Sequence, residues 1–222
     1  MNILVPYTWL KDHLNTTVSP EDMQRLLSLS GPSVERIEKV QGDSVFDIEV
    51  TTNRMDSASI RGIAREASVI LPQSGLTAQL AQVKSYIPKK NELSHDSTQF
   101  PINITNDSTL CPRVTCVVMR VKTKASPVWM KTRLEQVGIR SLNNLIDVTN
   151  YVMTEIGQPT HVFDADRLGN TMVIRESKKG ETLITLDDKK HTLLGGDIVV
   201  DNRKGELIDL IGIMGTANSI VT

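Results

Sequence analysis

The sequence has few aromatic residues and almost no net charge. Aromatic residues make up 4% of the 222 residues, so stacking platforms for single-stranded nucleic acid are not expected to dominate. With 25 basic and 26 acidic residues the formal net charge is −1, which argues against a module that grips phosphates by bulk electrostatics. If RNA is a partner, most of the binding must come from other chains or segments.

Long apolar runs, a secretion signal and metal-binding motifs are also missing. No apolar run approaches the roughly 20 residues of a membrane span, and the N-terminus lacks the basic and apolar regions of a signal peptide. Cys111 and Cys116 show no metal-ligand spacing, so we interpret them as reduced thiols in or near the core. The histidines show none either. We therefore expect a cytoplasmic protein without a membrane span or a metal site.

Local signals predict a small helix-rich domain over residues 1–75. One helix is expected from Tyr7 to Leu14, and a second follows the N-cap Ser19 and ends at Gly31. The next strands are expected to form a hairpin with a five-residue loop, and alternating apolar positions predict a half-buried second strand. These positions are Phe46, Ile48 and Val50. Asp56 or Ser57 is expected to cap a third helix, and we favour a packing role for this domain over direct ligand binding.

Residues 76–100 are polar and predict a linker or an extended segment, which leaves 101–222 as a second domain. This domain is expected to be sheet-rich, with a strong strand from Arg113 to Val121 and a final strand from Glu206 to Met214. Ser126 is expected to cap a helix that directs four apolar side chains inward. These are Trp129, Met130, Leu134 and Val137. The predicted fold class is α+β.

The residues most suited to bind a ligand lie between Ile139 and Asp164. An apolar run is interleaved there with polar side chains that a plain core would not select, and Gly157-Gln158-Pro159 then breaks the regular structure. Such a break places the side chain of His161 at an edge, where clefts form. The alternative for His161 is a loop histidine that bonds to backbone groups.

Other candidates carry similar alternatives. Thr149 and Asn150 either satisfy backbone groups or orient a substrate or a water. Gly212 and Gly215 either form a tight turn or let the backbone approach a ligand closely. Arg113 and Arg140 could contact RNA phosphate or a surface carboxylate. Asp147 and Asp164 show no sign in the sequence of being paired or buried.

Six sequence blocks, in order along the whole chain, resemble the β subunit of bacterial-type phenylalanyl-tRNA synthetase. The longest combines Gly-Ile-Arg-Ser, Asp-Val-Thr-Asn-Tyr-Val-Met and Glu-x-Gly-Gln-Pro-x-His-x-Phe-Asp between residues 138 and 164. The others are Trp9-Leu10-Lys11, Ser30-Gly31-Pro32-Ser33-Val34-Glu35, Glu49–Asp56 with Gly62–Glu66, Cys111-Pro112-Arg113 and Gly212–Gly215. Any one block is weak, but six in register identify the family.

The resemblance implies a winged-helix-like N-terminal domain and an editing module that hydrolyses Tyr-tRNA(Phe). It places Thr149, Asn150, His161, Gly212 and Gly215 in the editing pocket, which would hold tyrosine. It also implies a heterotetramer of two α and two β subunits that binds tRNA(Phe). Phenylalanine activation with ATP and magnesium belongs to the α subunit, so no cofactor is expected on this chain. The alternative is a non-catalytic scaffold or RNA-associated module of the same fold.

The sequence departs from the family pattern in two places. Most family members carry a tRNA-binding barrel between the second and third blocks, and here the loop between Val40 and Phe46 is too short for one. A family glutamate that contacts the tyrosine hydroxyl would fall several residues after Thr222. We therefore expect the chain to be part of a longer protein, without an early tRNA contact through the barrel.

Overall fold

The computed structural model describes residues 1–82 and 102–219, and the chain divides into two compact units. The first takes in Met1–Tyr86 and Lys122–Thr160, and the second takes in Ile87–Val121 and His161–Thr222. Both units contain helices and strands, so the predicted α+β class is confirmed. The division differs from the predicted domain boundaries because residues 122–160 pack with the N-terminal part of the chain.

The first unit combines helices with small antiparallel sheets. Its helices are α1 (Tyr7–His13), α2 (Pro20–Ser30), α3 (Ile60–Gln73), α4 (Val128–Gln136) and α5 (Asn144–Ile156). Its strands are β1 (Asn2–Pro6), β2 (Leu14–Thr16), β3 (Ser33–Val40), β4 (Asp43–Glu49) and β5 (Ala78–Leu80). Strand β4 lies between β1 and β3, and β2 pairs with β5. Part of the predicted linker is therefore strand β5, while its residues 83–100 lie outside the described chain.

Helices α2 and α3 form largely as their local signals predict. The Ser19 hydroxyl accepts a hydrogen bond from the Asp22 N–H at 3.1 Å, so Ser19 is the N-cap of α2. The predicted cap of α3 at Asp56 or Ser57 was wrong. Residues Thr52–Ser57 form a 3₁₀ helix of their own, and Ser59 caps α3 by accepting from the Gly62 N–H at 3.0 Å.

A tight turn joins β3 to β4, where the sequence predicted a five-residue loop. Only Gln41 and Gly42 lie between the two strands, with φ of 48° and 84°. Positive φ at both positions is typical of a type I′ hairpin, whose twist matches that of the flanking strands. The tight connection leaves no room for an inserted domain at this point.

Strand β4 is buried on both faces, so the half-buried prediction was wrong. As the central strand it is covered by apolar packing and also by polar partners. The buried Asp47 carboxylate accepts from the Asn2 amide at 2.9 Å and pairs with Arg36 at 2.7 Å. Sequence alternation predicted only the apolar half of this burial, because satisfied polar side chains can be buried as well.

Helices α4 and α5 belong to the core of the first unit, although two details of α4 differ from expectation. Met130 and Leu134 are buried as predicted, but the Trp129 side chain is 53% exposed and rests edge-on against Tyr151. Pro127 occupies the N-cap position of α4. The Ser126 hydroxyl donates to Asp147 instead, and it therefore does not cap this helix.

The described part of the second unit contains a five-stranded mixed sheet and a separate pair of antiparallel strands. Its strands are β6 (Asn103–Asn106), β7 (Thr171–Glu176), β8 (Thr182–Ile184), β9 (Lys190–Thr192), β10 (Ile198–Asp201), β11 (Leu207–Leu210) and β12 (Met214–Gly215), and its helix is α6 (Ala165–Leu168). The sheet runs in the order β12-β11-β10-β7-β6, with β6 parallel to β7 and the other pairs antiparallel. The single strand predicted from Glu206 to Met214 is two strands, because the chain turns at Ile211–Ile213.

The predicted strand from Arg113 to Val121 has no regular structure, and its side chains are largely exposed. Val117 is 69% exposed and Cys116 is also exposed, while Cys111 is half-buried. Valine and threonine favour strands through pairing and packing with neighbours, and none of the strands within 102–219 pairs with this stretch. The core position expected for Cys116 was wrong for the same reason.

Candidate functional site

Helix α5 is the element that carries Thr149 and Asn150. It begins at the cap Asn143, whose side-chain oxygen accepts from the backbone N–H groups of Leu145 and Ile146 at 3.0 and 3.2 Å. It ends at Gly157, which adopts a φ of 77° and donates its N–H to the Met153 carbonyl at 2.8 Å. The expected break at Gly157 is therefore a left-handed helix cap, a conformation that favours glycine.

Thr149 and Asn150 lie in the middle of α5, where both are half-buried. The Thr149 hydroxyl donates to the Ile146 carbonyl at 2.8 Å, and the Asn150 carbonyl accepts from the Thr154 hydroxyl at 2.8 Å. The hydroxyl proton of Thr149 is thus used by a backbone carbonyl, which was one of the two alternatives for this residue. Its oxygen still has acceptor capacity, because a hydroxyl carries two lone pairs.

Asp147, which showed no sign of burial in the sequence, is a fully buried carboxylate. Its exposed fraction is 0%, and it accepts hydrogen bonds from the Ser126 hydroxyl, the Ser141 hydroxyl and the Leu142 N–H. Burial acts to raise the pKa of Asp147, but these hydrogen bonds outweigh it and hold the pKa below its usual value. The carboxylate joins the segment before α4 to the start of α5. The sequence signal for this burial was Ser141, a hydroxyl donor six residues before Asp147.

Aromatic packing around Tyr151 anchors α5 in the first unit. The Tyr151 ring stacks on Trp9 with a centroid separation of 4.4 Å, and its hydroxyl accepts from Arg133 at 2.7 Å. Burial raises the pKa of Tyr151 to about 12, against the opposing effect of Arg133. One turn further on, Glu155 contacts His13 at 3.1 Å. Thr149 and Asn150 are therefore held on a well-anchored helix.

His161 packs against Gly215 in the second unit, and its side chain remains exposed to solvent. A Cβ atom added to Gly215 would lie 2.3 Å from Cε1 and 3.0 Å from Nε2 of His161. The other side of the imidazole stacks on Phe163, with ring centroids 4.2 Å apart and an interplanar angle of 29°. The ring is thus held in one orientation by two neighbours while one edge can reach a ligand.

The two candidate glycines have different structural roles. Gly212 has a φ of 76° and open space around its Cα, and the turn closes with a hydrogen bond from the Ile213 N–H to the Leu210 carbonyl at 3.0 Å. Gly212 is therefore needed for backbone conformation. Gly215 is buried and is needed for space, because any side chain there would collide with His161.

Asp209 is a second acidic residue that the sequence did not reveal. It lies on β11 directly opposite Gly215 of β12, and it is only 8% exposed. Burial raises the pKa of the Asp209 carboxyl, while the charge of His161 acts in the opposite direction. The strand register that brings these groups together has no signature in the local sequence.

The remaining predicted residues take ordinary positions. Arg113 and Arg140 are exposed, and Asp164 caps α6 by accepting from the N–H groups of Asp166 and Arg167. Within residues 1–82 and 102–219, no group of three or more metal-ligating side chains comes together, and none of the helices there is long and apolar enough to cross a membrane. Convergence of Thr149 and Asn150 with His161 in one pocket stays a prediction.

Comparison with known proteins supports the family resemblance. Residues 110–222 match the family model described as the B3/4 domain. The phenylalanine–tRNA ligase β subunit of Rhodopirellula baltica is 37% identical over 224 residues, covering 99% of this chain and 31% of the relative. That of Thermotoga maritima is 42% identical over 179 residues, covering 80% of this chain and 21% of the relative.

A solved N-terminal fragment of the phenylalanyl-tRNA synthetase β subunit from Pyrococcus horikoshii has a similar fold. The match has a TM-score of 0.50 at 14% identity and covers 100% of this chain and 65% of that chain. At this identity the likeness concerns the fold alone. This chain spans less than a third of the length of the curated relatives described above. It belongs to the family of phenylalanine–tRNA ligase β subunits, carrying their B3/4 domain without a barrel between β3 and β4.

Proposed function

We propose that this chain provides the part of a phenylalanine–tRNA ligase β subunit that removes tyrosine from Tyr-tRNA(Phe). The observation that carries the proposal is the exposed imidazole of His161, which Gly215 and Phe163 hold in a fixed orientation. An imidazole can donate or accept a hydrogen bond near neutral pH. Membership of the synthetase family supplies the substrate class.

A second site is needed because an activation pocket shaped for phenylalanine excludes tyrosine poorly. A hydrophobic pocket rejects an isostere that adds a hydroxyl by only about a hundredfold. An editing site reverses this preference by providing hydrogen-bond partners for the hydroxyl, since a buried hydroxyl without them is costly. Tyrosine then binds and phenylalanine does not.

The reaction is hydrolysis of the ester that joins the amino acid to the tRNA. Water attacks the carbonyl carbon, the bond to the ribose oxygen breaks, and the proton of the attacking water ends on that oxygen. In the proposed pocket His161 orients the water or the ester. Thr149 and Asn150 provide short polar groups, and the backbone around Gly212 and Gly215 allows close approach of the substrate.

Aminoacylation is assigned to an α subunit in a heterotetramer of two α and two β subunits, with ATP and magnesium bound there. This chain alone is therefore expected to show no phenylalanine-dependent ATP–pyrophosphate exchange, and robust exchange would contradict the assignment. The full-length β subunit is expected to co-purify with α and to act in the cytoplasm. A full-length β subunit that purifies without α after co-expression would contradict this assembly.

The direct test compares deacylation of Tyr-tRNA(Phe) and Phe-tRNA(Phe) by the assembled enzyme. We expect rapid loss of tyrosine and slow loss of phenylalanine. Equal and slow loss of both would contradict the editing proposal. A titration of this chain with tRNA over a salt series tests the alternative RNA-binding role. Tight binding with a steep salt dependence would favour that role, because such a slope counts neutralised phosphates.

A further inference from the structure

We propose that Asp209 is the positioning residue for His161, with its carboxylate holding the imidazole on the face of the sheet where Gly215 leaves room. The inference rests on the proposed editing function only for its catalytic consequence. The pairing of the two side chains follows from the strand register, independently of that function.

The sheet register brings the two groups to the same face. Asp209 and Gly215 are directly opposite each other in the antiparallel β11–β12 pair. Side chains of directly opposed residues point to the same face, with Cβ atoms about 4.5–5.5 Å apart. The position where Gly215 would carry a Cβ is filled by Cε1 of His161, only 2.3 Å away. The imidazole therefore occupies the place of the cross-strand neighbour of Asp209.

Asp209 is a buried acidic residue in the middle of a strand. It is 8% exposed, and its neighbours in the strand, Ile208 and Leu210, point to the opposite face of the sheet. A carboxylate in such a place costs free energy unless a partner stabilises it. Burial raises the pKa of Asp209, and two groups oppose this increase, first the charge of His161 and then a hydrogen bond from the Leu210 backbone.

The other neighbours of the imidazole restrict it further without replacing Asp209. Phe163 covers one face of the ring, and the Leu186 Cδ1 atom lies 3.3 Å from the same empty Cβ position of Gly215. Leu186 also donates its N–H to the Gly215 carbonyl at 3.1 Å. These contacts are apolar or use the backbone, so the negative charge that acts on the ring from this face of the sheet is that of Asp209, through its field and not through a direct ion pair.

The first test uses Asp209→Asn, which keeps the side-chain volume and removes the charge. The ¹⁵N chemical shifts of the two His161 ring nitrogens report its tautomer and charge, and they need no substrate. We expect them to change in Asp209→Asn and to stay unchanged in the control Asp188→Asn. Asp188 is an exposed residue with a φ of 60°, a conformation that asparagine tolerates. Unchanged His161 shifts in a folded Asp209→Asn protein would overturn the proposal.

A second variant keeps the proposal testable if Asp209→Asn does not fold. In His161→Gln the positive partner is lost, so the pKa of Asp209, followed through its carboxyl ¹³C signal, should increase above the wild-type value. An unchanged Asp209 titration would contradict the pairing.

The catalytic consequence is measured in the assembled enzyme. Asp209→Asn should lower kcat for Tyr-tRNA(Phe) hydrolysis by roughly 10- to 100-fold with little change in KM, because the ring is misplaced while binding groups remain. Normal kcat with altered ring shifts would refute a positioning role. If wild type itself does not hydrolyse Tyr-tRNA(Phe), the proposed function fails, while the NMR result still decides the pairing.

Discussion

Replacing Gly215 by alanine should displace the His161 imidazole without straining the backbone. Gly215 does not adopt a positive φ, and it stands in strand β12, so alanine is conformationally acceptable there. The new methyl group would lie 2.3 Å from Cε1 of His161. Carbon atoms in contact prefer about 3.5–4.0 Å, so the ring has to move by more than about 1 Å.

A displacement of this size affects catalysis far more than stability. A misplacement of about 1 Å in a positioning group can lower the rate roughly 100-fold, and we expect that loss in Tyr-tRNA(Phe) hydrolysis by the assembled enzyme. The free energy of unfolding should change by only about 1 kcal/mol, since alanine also restricts the unfolded chain. Hydrolysis is measured as release of labelled tyrosine, and stability is measured by urea unfolding.

Gly205→Ala is the matched control for this experiment. Gly205 has a φ of 86° with open space around it, so alanine strains the backbone but contacts nothing near His161. It should cost about 1–2 kcal/mol of stability and leave hydrolysis unchanged. The reasoning is refuted if Gly215→Ala hydrolyses Tyr-tRNA(Phe) at the wild-type rate, or if Gly205→Ala loses as much activity as Gly215→Ala.

Three further predictions concern stability in the first unit. Asp147→Asn should lower the free energy of unfolding by about 2–4 kcal/mol at pH 7, because charge-assisted hydrogen bonds are lost in a buried site. The pKa of Asp147 is lowered from 3.8 on folding. The difference in unfolding free energy between wild type and Asp147→Asn should therefore shrink below about pH 3.8. A difference that stays constant down to pH 2 would contradict this prediction. The pKa of Tyr151 is raised to about 12 in the folded protein, so wild type should lose stability between pH 10 and 12. Tyr151→Phe should lose less stability over this range. Identical stability profiles for the two proteins would contradict the raised pKa of Tyr151. Ser59→Ala should lower stability by about 1 kcal/mol through the lost cap of α3, and no change in urea unfolding would count against Ser59 as the cap.

Sequence signals were most informative where the structure is local. Ser19, Pro20 and the apolar stripe of α2 act within one helix, so its start, buried face and end could be predicted. The start of α3 was misplaced because Asp56 bonds to the guanidinium groups of Arg54 and Arg65. Several residues in that stretch could cap a helix. Which one does so depends on the other side chains that each residue binds in the folded protein, and the sequence does not show these contacts.

Features that depend on distant partners could not be predicted. Residues 113–121 have the composition of a strand, but composition does not supply a neighbour with which to pair. Asp209 became significant only through its register with Gly215, and Asp147 only through hydroxyl groups at Ser126 and Ser141. The glycines illustrate both cases: Gly212 is a turn glycine, as its context suggested, whereas the need for Gly215 comes from His161.

The most direct test of the editing assignment is the rate of Tyr-tRNA(Phe) hydrolysis after His161→Ala in the assembled enzyme. A group that acts like an oxyanion donor contributes roughly 10²–10³ in rate, and one that only orients substrate contributes less. We predict that His161→Ala lowers the rate of Tyr-tRNA(Phe) hydrolysis by up to about 10³-fold. Phenylalanine charging should stay nearly intact, because that chemistry is assigned to the α subunit. Tyr-tRNA(Phe) hydrolysis at the wild-type rate in His161→Ala would reduce His161 to a structural loop residue and contradict the account.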